Sequence, residues 1–226
     1  MCIKKDRSRF FLESFHKEYD TNTSELVIDG RKFQLLLPKD LTGFINTQNV
    51  FDQFPLWAKI WPASWVLAGY LAERPVVPAK KLIEIGAGTG LVSIVAASCG
   101  HDITLTESNP DALQFARANA LINGCPQLPI LNLDWNRPQL KDTVDYIVAS
   151  EVTYKKEDLQ PLLGLFKRCL SPDGEVLIAG EMRRVSKDFY QQFETDYNIR
   201  VQKKILRASG EEIAIFLLRL THKIKG

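Results

Sequence analysis

Lys80–Ala97, KKLIEIGAGTGLVSIVAA, decides how the rest of this chain is read. Leu82, Ile83 and Ile85 form a short apolar run, the pattern of a strand buried in a parallel sheet. Gly86, Gly88 and Gly90 follow at alternate positions, and Leu91, Val92, Ile94, Val95 and Ala96 then continue without a breaker as a buried helix. Strand, glycine turn and helix together bring backbone close to a nucleotide-like ligand at the mouth of a parallel sheet. Glycine suits such a turn because it accepts positive φ and leaves no Cβ between backbone and ligand. The dinucleotide fingerprint G-x-G-x-x-G would place its last glycine where Leu91 stands, which argues against a dinucleotide cofactor.

Downstream, strand and helix patterns alternate. His101–Glu107 reads as a second core strand, with Glu107 at its carboxyl end and His101 as a surface residue at the other. An acid at that end, about 20 residues beyond the glycine turn, suits hydrogen bonds to both hydroxyls of a ribose. Ser108-Asn109-Pro110-Asp111 is a helix start, and Asn123-Gly124 is the matching stop. Leu128–Leu133 makes a third strand that delivers Asp134 and Trp135 to the same edge. There Asp134 is placed to accept from an adenine amino group and Trp135 to stack on the ring. A turn with a capping aspartate is the plainer alternative for Asp134. Val144–Ala149 is a fourth strand, ending in Ser150-Glu151-Val152-Thr153-Tyr154 before the helix Leu159–Leu170. Ligands of open parallel sheets lie outside the carboxyl ends of the strands, so Glu151 and Tyr154 are expected where a second substrate would sit.

Pro172-Asp173-Gly174 reads as a turn into a fifth strand, Glu175–Ala179; Glu181 and Arg183-Arg184 follow it in a solvated loop, with contact to an acidic partner surface as the alternative. A helix (Lys187–Glu194) and two strands (Ile199–Ile205 and Ile213–Leu220) complete the chain. The tight turn at Ser209-Gly210 requires those two strands to pair antiparallel.

Upstream, Phe10–Tyr19 has Phe11, Phe15 and Tyr19 at helical spacing. Asp29-Gly30 between two alternating apolar runs predicts a two-residue hairpin outside the core sheet. The aromatic stretch Phe51–Leu71 contains Pro55 and Pro62, so a loop carrying Trp57 and Trp61 is expected to lead into a helix that starts at Pro62. Trp57 and Trp65 read as core cover. These boundaries divide the chain into an accessory segment of helix and hairpin, residues 1–50, and a core domain, residues 51–226.

At 226 residues the chain is long enough for one α/β domain with additions. Its formal net charge of +2 gives no field that would gather nucleic acid. The four cysteines, Cys2, Cys99, Cys125 and Cys169, are scattered without zinc spacing and suit a reducing, cytoplasmic setting. No metal site is expected. The charged N-terminal stretch has no signal-peptide core, and no run approaches the ~20 apolar residues needed to span a bilayer.

Glu84-Ile-Gly86-Ala-Gly88-Thr-Gly90 resembles the first motif of the class I S-adenosylmethionine (SAM) methyltransferases. Trp61-Pro62 and Glu151-x-x-Tyr154 are similar to the Trp-Pro and (Asp/Glu)-x-x-Tyr signatures of the methyltransferase-like protein lysine methyltransferases. The resemblance covers about Trp57 to Leu220. It implies a Rossmann-like three-layer sandwich around a seven-stranded, mostly parallel sheet that ends in an antiparallel pair. It further implies SAM held by Trp61, Glu84, Gly86, Gly88, Gly90, Glu107, Asp134, Trp135 and Ser150, with Glu151 and Tyr154 at the methyl acceptor, a lysine of a protein partner. Neither the Asn/Asp-Pro-Pro-Tyr tetrapeptide of planar-nitrogen methylation nor the double-glutamate loop of arginine methyltransferases follows the fourth strand. A small-molecule methyltransferase and a non-catalytic nucleotide-binding module remain the alternatives.

Overall fold

The structure is a computed structural model that describes residues 10–45, 54–140, 142–152, 155–181, 186–208 and 211–223. In chain order its elements are α1 (Leu12–Glu18), β1 (Thr21–Ile28), β2 (Arg31–Pro38), α2 (Pro62–Glu73), β3 (Lys81–Ile85), α3 (Leu91–Ser98), β4 (Asp102–Glu107), α4 (Pro110–Ile122), β5 (Ile130–Asn132), β6 (Val144–Ser150), α5 (Leu159–Cys169), β7 (Leu170–Gly180), α6 (Ser186–Phe193), β8 (Tyr197–Ala208) and β9 (Glu211–His222). Seven strands make one sheet in the order β5-β4-β3-β6-β7-β9-β8. Strands β3 to β7 are parallel, β9 runs antiparallel to β7, and β8 runs antiparallel to β9. The expected seven-stranded sheet with an antiparallel end is therefore what the chain forms.

Period-two alternation explains the three layers. Leu82 of β3, Val148 of β6 and Leu177 of β7 pack on the side of α2 and α3. Ile83, Ile147 and Val176, one residue away in each strand, pack on the side of α5 and α6. β3 and β6 are neighbours from which the chain departs in opposite directions, to β4 and to β7. The crevice at their carboxyl ends is thus the switch point at which such sheets take ligands.

The hairpin forms as its turn residues dictate. Asp29 and Gly30 both take positive φ, 49° and 71°, as a two-residue turn between right-twisted strands demands. β1 and β2 form their own two-stranded sheet, and Leu26, Ile28, Phe33 and Leu35 bury in the same cluster as α2 and α3. Pro62 occupies the first position of α2, and the Asn109 side chain caps α4 by accepting from the Ala112 N–H at 3.0 Å.

Several local expectations differ from the fold. Phe11 is exposed, and Phe15 alone of α1 is buried. His101 is not a surface residue: its ring nitrogen bonds the Leu71 carbonyl at 2.9 Å, joining the start of β4 to the end of α2. The third core strand is shorter than Leu128–Leu133. Pro172-Asp173-Gly174 lies within the span of β7 as a bulge, opposite the register shift between Val144 and Tyr146. Ser209-Gly210 and Arg183-Arg184 lie outside the described residues.

Candidate cofactor and acceptor site

The glycine turn joins β3 to α3 and is pinned to β4. The Ala87 N–H donates to the Thr106 carbonyl at 3.0 Å, and the Thr106 hydroxyl donates to the Glu84 carbonyl at 2.6 Å. The turn closes on itself through the Gly90 N–H and the Ala87 carbonyl at 3.0 Å. Gly90 has φ +90°, and a Cβ there would lie 2.8 Å from Leu105 Cδ1, so both backbone and space require glycine. A Cβ on Gly86 would lie 3.0 Å from Val152 Cγ1 and 3.2 Å from Trp135 Cζ3. The structure thereby brings together Gly86, the end of β6 and the tryptophan beyond β5. Gly88 is approached by the Trp57 backbone, whose oxygen would be 3.2 Å from such a Cβ.

Glu107 ends β4 beside this turn, and its carboxylate organises the loop. One oxygen accepts from the Gly88 N–H at 2.9 Å. The other accepts from the N–H groups of Ser108 at 2.7 Å and Asn109 at 2.9 Å. A carboxylate has about four acceptor positions, so the Gly88-bound oxygen retains capacity for a hydroxyl donor.

Glu84 takes a different place from the one its motif position suggests. Alternation along β3 turns it toward α3, where it is buried and accepts from the Ser93 N–H at 2.9 Å and from the Ser93 hydroxyl. Burial pushes its carboxyl up to about 8, against the pull of the Ser93 bonds and with the charge of Glu107 adding to the rise. Glu84 therefore supports the turn from beneath, through the first turn of α3, and does not reach its outer surface.

Asp134 is exposed and accepts from the backbone N–H and side-chain amide of Asn136 at 2.8 and 2.9 Å, a capped turn. Trp135 is half-buried against the α5 side of the core. Trp61 precedes α2 and donates its indole N–H to the Leu56 carbonyl at 2.8 Å. The ammonium of Lys59 lies 4.7 Å from the Trp61 ring centroid, so this ring face holds a cation. Trp57, whose backbone approaches Gly88, packs its ring with Phe44 and Phe115.

Ser150 is the last residue of β6, and Glu151 follows it with φ 51°, an uncommon conformation for a side chain of this kind. Its N–H donates to the Ala179 carbonyl at 2.9 Å, and its buried carboxylate accepts from the Glu181 N–H at 2.9 Å. The ends of β6 and β7 thus fix this carboxylate at the carboxyl edge of the sheet, one residue before Val152, which lies against Gly86 of the glycine turn. Tyr154 lies outside the described residues. Among the described residues, no group of three or more His, Cys, Asp or Glu side chains is arranged to hold a metal ion.

Sequence reading missed Asn119 and took Asn123 only as a helix stop. Asn119 of α4 and Asn123, its C-cap, clamp the edge of β2 through bonds at Leu36 and Gln34. An asparagine inside the helix, at position 119, was the available signal, since that residue is a poor helix former unless its amide is engaged.

Strand order, glycine turn and strand-end acid together define a methyltransferase-type α/β domain. The fold agrees with a SAM-dependent methyltransferase from Agrobacterium tumefaciens (TM-score 0.57, 19% identity, 91% of this chain and 72% of that one). It agrees similarly with a ribosomal protein L11 methylase from Lactobacillus delbrueckii subsp. bulgaricus (TM-score 0.55, 22% identity, 70% and 77%). The chain belongs to the lysine methyltransferase family, which it matches over residues 52–196. Among curated relatives, it is 38% identical over 112 residues to the histone-arginine methyltransferase METTL23 of Rattus norvegicus, covering 46% of this chain and 49% of the relative. It is 32% identical over 142 residues to the EEF1A lysine methyltransferase 3 of Mus musculus, covering 61% of each. It is 28% identical over 162 residues to the protein N-lysine methyltransferase METTL21A of Xenopus tropicalis, covering 69% and 75%. The match to the rat relative thus spans about half of that relative's length.

Proposed function

We propose that this chain is a SAM-dependent methyltransferase whose acceptor is a lysine side chain of a protein. The observation that carries the proposal is the buried Glu151 carboxylate, fixed at the carboxyl edge of the sheet in a chain of the lysine methyltransferase family. The residues at the glycine turn fit the cofactor. Glu107 offers acceptor capacity to ribose hydroxyls, the Trp135 ring flanks Gly86 where an aromatic base would lie, and Asp134 stands one residue away. Gly86, Gly88 and Gly90 shape that cradle, Ser150 borders it, Glu84 supports it from below, and Trp61 offers a π face near the loop of Trp57.

Bound SAM supplies a methyl group activated by its sulfonium. The protein's part is chiefly positioning, because in-line displacement gains most from holding the acceptor behind the methyl carbon. Lysine adds a demand, since its ammonium has an unperturbed pKa near 10.4 and only the neutral amine attacks. Glu151 attracts the incoming ammonium by charge, while the apolar surfaces of Val152 and Trp135, with Tyr154 as a further ring, favour its deprotonation. We assign Glu151 the role of anchor.

Residues 51–226 form the catalytic core in this reading and residues 1–50 an accessory segment, supported by the separate two-stranded sheet and by a family match that begins at residue 52. Cys99, Cys125 and Cys169 carry free thiols, which suits a reducing, cytoplasmic setting. No described helix is long and apolar enough to cross a membrane.

A second reading has arginine as the acceptor, favoured by the similarity to METTL23 of Rattus norvegicus. Incubation of a lysate with the protein and methyl-deuterated SAM, followed by mass spectrometry of labelled peptides, separates the two. Label on lysine Nζ, lost with Glu151→Gln while calorimetric SAM binding stays within about threefold, is the expected result. Label confined to arginine selects the second reading. Label confined to small molecules, or NAD binding in place of SAM, overturns both.

A further inference from the structure

The glycine turn is held from one side by a residue that belongs to no recognised motif. Asn119 lies in the last turn of α4 and is fully buried. Its side-chain oxygen accepts from the Leu36 N–H at 2.7 Å, and its amide nitrogen donates to the Leu36 carbonyl at 3.2 Å. The same nitrogen donates to the carbonyl of Thr89, between Gly88 and Gly90, at 3.0 Å. One helical turn on, Asn123 repeats the first half of the pattern, accepting from the Gln34 N–H at 3.0 Å and donating to the Gln34 carbonyl at 2.6 Å. It makes no bond to the glycine turn; its other donation goes to the Asn119 carbonyl at 2.8 Å.

The geometry follows from two periods. Residues i and i+2 of β2 present N–H and C=O along one strand edge, and residues i and i+4 of a helix share one face. Two asparagines therefore pair with the β2 edge as a neighbouring strand would. A primary amide is the side chain that offers both a donor and an acceptor to each backbone unit. The second amide hydrogen of Asn119 is what turns a docking clamp into a link. Within the buried site, Asn119 joins an accessory hairpin to the turn on which the cofactor rests, although Leu36 and Thr89 are far apart in sequence.

We propose that Asn119 is a positioning residue for the cofactor turn, and that through it docking of the β1–β2 hairpin and binding of SAM stabilise one another. The inference rests on the SAM reading above. Coupling between two sites is reciprocal, so SAM must tighten the hairpin by the factor with which the hairpin tightens SAM. Without Asn119's donation, the Thr89 carbonyl is left as a buried acceptor with no counterpart, and the turn can relax away from the geometry that cradles a ligand.

Hydrogen exchange on the wild-type protein tests this without any substitution. Saturating SAM is expected to slow exchange of the Leu36 amide about tenfold, within the usual range of such coupling, relative to amides of the remote β8–β9 pair. Equal slowing at both places means that SAM acts only on global unfolding and overturns the proposal. Calorimetry on two variants adds a second readout. Asn119→Asp keeps the acceptor for Leu36 and loses the amide donor, and is expected to weaken SAM about tenfold. Asn123→Ala, which removes the Gln34 clamp and the bond to the Asn119 carbonyl but no bond to the glycine turn, is expected to leave SAM affinity within about twofold while lowering the denaturation midpoint. Equal loss of affinity in both variants would assign Asn119 a purely structural role. If Asn119→Asp does not fold, the wild-type exchange comparison decides. A wild type that binds no SAM overturns the cofactor reading and this coupling together, whereas SAM binding with an unprotected Leu36 amide overturns the coupling alone.

Discussion

Replacing Glu107 by glutamine changes one atom, and the structure predicts that the cost is close to that of removing the side chain. One carboxylate oxygen accepts from the Gly88 N–H and the other from the N–H groups of Ser108 and Asn109, all between 2.7 and 2.9 Å. Every backbone partner is a donor, and the Ser108 hydroxyl, at 3.3 Å, donates as well. An amide NH2 in either orientation must therefore face a backbone N–H, so glutamine opposes donor to donor where the carboxylate satisfied both sides. Hydrogen bonds to a charged group contribute about 1.5–3 kcal/mol each, and an unsatisfied donor costs about 1–3 kcal/mol. Water replaces part of this at Ser108, which is exposed, leaving an expected loss of about 2–3 kcal/mol of folding stability for Glu107→Gln or Glu107→Ala. Loss of two ribose hydroxyl bonds adds about 3–6 kcal/mol in SAM binding, roughly a hundred- to ten-thousand-fold rise in Kd. Urea denaturation with and without SAM, and calorimetric titration of SAM, read the two effects separately. A Glu107→Gln protein that unfolds at the wild-type urea concentration and binds SAM with wild-type affinity would refute the acceptor-only role assigned to this carboxylate.

Two further outcomes follow from the same turn. Because burial holds the Glu84 carboxyl at about 8 against 4.5 in the unfolded chain, the folded protein retains a proton that the unfolded one releases. Its contribution to stability therefore falls as pH rises between those values. Glu84→Gln cannot titrate, so its stability relative to wild type should increase from pH 5 to pH 8 in urea titrations; a difference constant with pH would mean that Glu84 stays ionised beneath the turn. Gly90→Ala forces a Cβ into φ +90° and to within 2.8 Å of Leu105, which should cost about 2–4 kcal/mol from backbone strain and overpacking together. A shift in the denaturation midpoint worth less than about 0.5 kcal/mol would show that the turn relaxes freely.

By itself, the sequence determined those features that neighbouring residues enforce on one another. Asp29-Gly30 can make only a tight hairpin turn, Pro62 can only open a helix, and the apolar run before Gly86 has no use except as a buried strand. These are short-range constraints of φ, of missing donors and of hydrophobic period, and they carry the αβ alternation and the antiparallel end of the sheet. The motifs at Gly86–Gly90, Glu107 and Glu151 were legible for the same reason: each sits at a strand's carboxyl end, a position that alternation alone locates. Tertiary structure decided what each side chain does there. Whether an acid at a strand end faces ligand or core depends on the parity of the strand and on the helix packed over it, so Glu84 turned to Ser93 while Glu107 stayed with the loop. His101 is buried because the end of α2 supplies a carbonyl that no local pattern announces. Asn119 shows the limit most directly. Its two partners lie 83 and 30 residues away, and nothing near it in the chain records that both backbones would meet on one face of α4.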